Sequence, residues 1–166
     1  MRMRQYSKLG VIACIAIFAA SVQVRAADMA WASGALADIY VAMTEANFAK
    51  ASAAESPSAS AKAKEQLANV VEAAEAALAA YKEMEAAGEG DAAEAVKALE
   101  AARQKALGGT APVATPTEGG YKLPNPNRVL WDSEGLQKIY EELFQIVEST
   151  SAKGGAEFTE YFATPE

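Results

Sequence analysis

Hydrophobic residues recur with helical spacing along most of the chain, and the longest such stretch lies between Ser56 and Ala87. Its apolar side chains alternate at intervals of four and three residues, at Leu67, Val71, Ala74, Leu78, Tyr81 and Met84. Pro57 suits the first helical position, with Ser56 as N-cap, and Gly88 ends the pattern. The spacing predicts one alanine-rich helix about 45 Å long, on which the other elements pack as part of a structural coiled hairpin. The alternative is that this helix is a docking rod for another protein.

The same spacing predicts three further helices. The first covers 28–54 with Asp28 as its cap, and the third runs from Asp91, which with Glu94 resembles a capping box, to about residue 107. The last covers 133–153, is capped by Asp132, and carries the strongest apolar face of the protein at Leu136, Ile139, Tyr140, Leu143, Phe144, Ile146 and Val147. We expect the second and third helices to form an antiparallel hairpin, and the first and last to form the main core.

Residues 108–131, called the strap below, lose the helical period and contain four prolines. Its first half is low in complexity, which predicts flexibility, whereas its second half is apolar. We expect that half either to lie across the bundle or to be an exposed partner-binding segment in extended or polyproline form. Phe158, Tyr161 and Phe162 in the tail are spaced for one or two docked helical turns, with a free aromatic hook for a partner as the alternative.

These elements predict an all-α fold, namely an elongated three- to four-helix bundle with an alanine-rich coiled hairpin and a long Pro/Gly-rich loop before the last long helix. Three helices in 27–107, the strap at 108–131 and the C-terminal helix and tail at 132–166 form one domain. Alanine-rich hairpins often complete their packing against a second copy, which leaves a homodimer as an open alternative.

The first 26 residues have the pattern of a cleaved bacterial signal peptide. A short basic start precedes an uncharged, mostly apolar run from Leu9 to Val22, and Val24-Arg25-Ala26 places small residues before a cleavage point after Ala26. The run is short for a membrane span, which takes about twenty residues. We therefore expect a periplasmic or secreted protein without membrane insertion after cleavage; an uncleaved anchor is the alternative.

Charge and composition exclude several function classes. The chain carries 22 acidic and 15 basic residues, and four of the basic ones lie in the first 26, so the remainder has 11 − 22 = −11 charges. Such a surface repels nucleic acid. The absence of histidine, with Cys14 as the single cysteine, removes Ser-His-Asp and Cys-His nucleophiles and Cys/His zinc sites. We predict no catalytic residue, no metal and no cofactor.

The leading hypothesis is an exported, non-enzymatic interaction protein, such as an accessory subunit or assembly factor of a periplasmic or cell-envelope complex. The residues predicted to bind its protein partner are the aromatic and apolar ones of the strap and tail, namely Tyr121, Leu123, Pro124, Trp131, Phe158, Tyr161 and Phe162. The alternative is a periplasmic carrier that holds a small apolar ligand between the first and last helices. Trp31, Tyr40, Tyr140 and Phe144 would line that cavity.

Overall fold

The structure, a computed structural model, describes residues 9–88, 90–112, 114, 116–117, 120–150 and 157–159, with only the backbone for 9–28, 116–117 and 157–159. Within these ranges the elements are α1 (Leu9–Ser52), α2 (Pro57–Ala87), α3 (Ala93–Leu107), β1 (Pro116–Thr117), β2 (Gly120–Pro124), a 3-10 helix (Pro126–Arg128), α4 (Glu134–Thr150) and β3 (Glu157–Thr159). The predicted all-α helical bundle is confirmed.

Helix α1 is the central element of the bundle between Ala32 and Asn47. All residues of this stretch are buried except Gly34, which is half-buried, and Glu45. Helices α2, α3 and α4 and strand β2 all contact α1. Five alanines in the stretch let these neighbours approach closely, and a helix that is apolar on every side belongs in the interior. The expectation that the other elements pack on residues 56–87 is therefore corrected, since α2 is one of the elements around α1.

Helices α2 and α3 form the predicted antiparallel hairpin. Near the end of α3, the Lys105 Nζ lies 2.6 Å from a carboxylate oxygen of Glu72 in the middle of α2. Gly88 and Gly108 end the two helices with φ of 60° and 57°, values at which a side chain is strained. Ser56 holds the N-cap position of α2. Its side chain makes no capping hydrogen bond, and its backbone carbonyl accepts from Ser60 N.

Helix α4 packs against α1, as expected, and runs antiparallel to it. The N-terminal cap of each of these two helices differs from the prediction. Ser133 Oγ accepts from Leu136 N at 3.2 Å and so caps α4, while Asp132 forms an ion pair with Lys50 of α1. Asp28 lies inside α1, which begins at Leu9, and therefore does not cap a helix in the full chain. No helix in the described part of the chain is long and apolar enough to cross a membrane.

The strap forms a small sheet with the tail. Strand β1 pairs with β2 in antiparallel register, and β3 pairs with β2 in parallel register, with Leu123 opposite Phe158. The helical turns predicted around Phe158 are therefore wrong for 157–159, because Phe and Thr suit a strand and β2 offers a free edge there. The remaining predicted tail residues, Tyr161 and Phe162, lie outside the described residues.

Candidate functional site

Three of the predicted partner-binding residues lie on β2 and are covered by the bundle. Leu123 has no exposed surface, and Pro124 is nearly as buried. The hydroxyl of Tyr40 donates to the Pro124 carbonyl oxygen at 2.6 Å. The half-buried ring of Tyr121 ends directly above Gly34, where a Cβ atom would lie only 2.6 Å from the phenol oxygen. These contacts place β2 across the bundle, which was one of the two alternatives for this half of the strap.

Trp131 and Phe158 lie next to the same core. The Trp131 ring is half-buried against Tyr140, with centroids 4.9 Å apart, and its Nε1 is buried without an acceptor among the described residues. Phe158 belongs to β3, of which the backbone alone is described. The partner-binding role of these residues remains a prediction, and for Leu123 and Pro124 it would require β2 to leave the bundle.

The cavity expected between the first and last helices is filled by its own aromatic rings. Tyr40 and Tyr140 stack with centroids 4.1 Å apart, and Phe144 tilts against Tyr40 at 5.8 Å. Both tyrosines are fully buried. Burial raises the pKa of Tyr140 to about 12 and that of Tyr40 further. Ring packing at these distances leaves no space for a ligand between these three residues.

Asp38 of α1 is the buried charge of the core and holds two other segments in place. One carboxylate oxygen accepts from Arg103 Nε of α3 at 2.9 Å, and the other accepts from Ala114 N of the strap at 2.8 Å. Arg103 also reaches Glu100 at 3.3 Å. Burial opposes the charge of Arg103, but the hydrogen bonds and charges of Asp38 and Glu100 together outweigh burial and raise its pKa. These hydrogen bonds tie α1 to α3 and to the strap.

An open apolar groove lies along α2, next to the end of α1 and the start of α4. Higher along the two helices, Lys82 Nζ and Glu142 Oε1 are 2.6 Å apart and hold α2 and α4 together. Below this ion pair the groove has a volume of about 380 Å³ and is lined by Lys50, Lys64, Leu67, Ala68, Val71, Glu72, Glu75 and Leu136. Leu67 is buried in its floor, Val71 and Leu136 are half-buried, and Ala68 is exposed. The lining is thus mainly apolar but remains open to solvent.

The charges around this groove are partly neutralised by neighbours. Lys50 pairs with Asp132, and that hydrogen bond lowers the pKa of the Asp132 carboxyl. Glu72 pairs with Lys105. Among the described residues, Lys64 and Glu75 have no ion-pair partner. These two lie eleven residues apart, which is about three turns and about 16 Å on one face of a helix. The groove therefore has one free positive end and one free negative end.

The described residues offer no group that points to metal or acid–base chemistry. No three acidic or cysteine side chains among them gather closely enough to hold a metal ion. The strongly shifted pKa values belong to tyrosines whose phenols are held neutral by burial.

The chain was also compared with known proteins. No protein-family model, no curated protein and no solved structure gave a significant match. The fold and the groove are consequently the observations on which a functional proposal must rest.

Sequence reasoning missed this groove, although one signal for it was present. Val71 belongs to the predicted core stripe of α2, yet it is half-buried in the groove while the adjacent Val70 is only 2% exposed. The face formed by Lys64, Ala68, Val71 and Glu75 is small and apolar in its middle and charged at both ends. Such a face is typical of a helix that meets another helix, but the sequence does not show which residues of α2 the rest of the bundle covers.

Proposed function

We propose that the chain is an exported, non-enzymatic interaction protein of the periplasm or cell envelope, in which the groove between α2 and α4 binds an amphipathic helix. The observation that carries this proposal is the groove itself, an apolar depression along α2 that is bordered by α4 and open to solvent. Helices that lie in such grooves bury one apolar face and keep their polar face in water.

The dimensions and charges of the groove specify the chemistry of its occupant. A span of about 16 Å between Lys64 and Glu75 accommodates about three turns of a helix. The occupant needs small or branched apolar residues that fill the space around Ala68 and Val71. It also needs an acidic residue near Lys64 and a basic residue near Glu75, because opposite charges at the rim of an interface set its orientation.

Export supports the same proposal on independent grounds. The first 26 residues have the three-part pattern of a secretory signal, and the rest of the chain contains no cysteine and therefore needs no disulfide after export. An acidic helical bundle without histidine carries few groups for catalysis, whereas its groove offers a ready surface for assembly. An accessory subunit or assembly factor of an envelope complex fits these properties.

Photo-cross-linking in the native host tests the proposal. A cross-linking amino acid is placed at Ala68, which is exposed in the groove, and at Ala76 as a matched control. Ala76 is also exposed on α2, but it points about 80° away from Ala68 around the helix axis. We expect a discrete protein adduct from position 68 and none from position 76. The absence of any adduct at position 68, with the protein folded and exported, would contradict the proposed function.

A further inference from the structure

We infer that the helix bound in the groove is α2 of a second copy of this chain, so that the protein forms a symmetric antiparallel dimer. This inference rests on the proposed function, because it names the occupant of the same groove. The helix that occupies the groove needs an apolar middle between a positive end and a negative end about three turns apart. Helix α2 itself has this pattern on the face that lines the groove.

The pattern is complementary to itself when the second helix runs in the opposite direction. A two-fold axis midway between Asn69 and Val70 places Lys64 of one copy opposite Glu75 of the other, and the same contact forms a second time by symmetry. The axis also places Ala68 opposite Val71, so that a small residue meets a branched one at both positions. A parallel arrangement in register would instead set each charge against its like.

The two charged residues are available for such contacts. Lys64 and Glu75 are both exposed and make no ion pair among the described residues, whereas Lys50 and Glu72, also in the lining, are already paired within the chain. Closing the groove would cover the half-buried Val71 and Leu136 in each copy. A symmetric interface repeats each favourable contact, and this is why two-fold dimers form readily from self-complementary faces.

A charge exchange tests this arrangement. Sedimentation of the purified chain over a range of concentrations should show a monomer–dimer equilibrium. Lys64→Glu and Glu75→Lys should each weaken dimerisation about tenfold, since each replaces two attractive surface contacts by two repulsive ones. The double variant K64E/E75K should restore dimerisation to within about threefold of the original, because both contacts become attractive again. Lys62→Glu, the same change at an exposed position on another face of α2, should have no effect.

The outcomes of the cross-linking and sedimentation experiments distinguish failure of the dimer inference from failure of the proposed function. A cross-linked adduct at Ala68 with twice the mass of the chain, together with rescue by the double variant, supports both. An adduct with a different protein, or a chain that stays monomeric at every concentration, overturns the dimer. If the adduct contains a different protein, the proposed function stands. The double variant would then not rescue binding, because the charges of that partner are unchanged. Loss of dimer with Lys62→Glu to the same extent would also overturn the inference.

Discussion

The centre of α1 and the groove-lining face of α2 are both largely apolar helical surfaces, but the other elements of the bundle cover only the first. Between Ala32 and Asn47, α1 is covered on all sides, and each of its buried polar groups has a partner. On α2 six residues between Lys64 and Glu75 line an open groove, and the two charges at its ends are unpaired within the described chain. The first surface is complete within one chain, whereas the second has room for another helix.

The buried polar groups of α1 determine where the neighbouring segments pack along this helix. Asp38 binds α3 and the first half of the strap, Thr44 binds Tyr140 of α4 at 2.8 Å, and Asn47 donates to the Leu130 carbonyl near the end of the strap at 2.8 Å. Because a buried polar group without its partner costs about 1–3 kcal/mol, these bonds fix the position of each neighbour along α1. The many alanines of α2 and α3 would not fix it, since small side chains interdigitate weakly.

The largest expected effect comes from removing the buried charge of α1. Asp38→Ala leaves Arg103, whose side chain is 17% exposed, with Glu100 at 3.3 Å as its remaining carboxylate partner, and it leaves the Ala114 amide without its acceptor. We expect the free energy of unfolding, measured with urea, to fall by about 3–5 kcal/mol. Glu94→Ala breaks an exposed ion pair with Lys97 and should cost less than about 1 kcal/mol. Equal losses in the two variants would show that Asp38 is not a tie of the core.

Adjacent valines on α2 give the most direct comparison of core and groove. Val70 is 2% exposed, whereas Val71 is half-buried in the groove. Val70→Ala should lower the free energy of unfolding by about 2 kcal/mol, because two buried methyl groups are lost and a small cavity remains. Val71→Ala should cost the monomer less than about 1 kcal/mol. A larger loss for Val71 than for Val70, in urea denaturation at low protein concentration, would contradict the division into core and groove.

Alkaline titration tests the burial of the aromatic core. The pKa of Tyr140 is raised by burial to about 12, above the ordinary value of 10.0, against the opposing effect of its hydrogen bonds. Because the pKa of Tyr140 is raised in the folded state, this residue contributes its full stabilisation below pH 10, its ordinary pKa. The contribution disappears as pH rises from 10 through about 12. Between pH 9 and 11, the wild type should lose about 1.4 kcal/mol more stability than Tyr140→Phe. Identical pH profiles would indicate that the Tyr140 phenol is accessible to water.

The smallest expected effect concerns the contact between the strap and α1. Gly34→Ala should gain about 1 kcal/mol from helix propensity, but the new Cβ would lie 2.6 Å from the Tyr121 hydroxyl. We expect the change to be neutral or destabilising in the wild type and stabilising in a Tyr121→Phe background, where the clashing oxygen is absent. Thermal denaturation of the four proteins of this cycle measures the coupling. Additive effects would show that Tyr121 does not pack on Gly34.

Much of the secondary structure could be predicted because it depends on local signals. The helical stretch after Pro57 and the ends at Gly88 and Gly108 follow from residue propensity and backbone freedom. The strand at 157–159 could not be predicted in this way, because its partner β2 lies more than thirty residues earlier in the chain. The spacing of the tail aromatics fits a helix locally, and only pairing with β2 selects the strand.

The groove, too, could not be predicted from local sequence signals. The sequence places Val70 and Val71 side by side on one apolar helix, and their chemistry is identical. Only the directions of α1, α3 and α4 around α2 decide that one is covered and the other borders the groove. We predicted functional residues in the strap and around a cavity between the first and last helices because aromatic residues are frequent there. Tyr40, Tyr140 and Phe144 instead fill the core, and Tyr121 and Trp131 lie half-buried against it.

The sequence by itself determined the alanine-rich hairpin, the four helices and their glycine ends, and the exclusion of histidine- and cysteine-dependent chemistry. These properties depend on residues close together in the chain or on composition. The tertiary structure alone decided that α1 is the centre, that β2 and β3 pair, and that part of the α2 surface borders an open groove next to α4. Each of these depends on packing between distant segments, where helices of similar hydrophobicity compete for the same interior and the polar contacts of α1 select one arrangement.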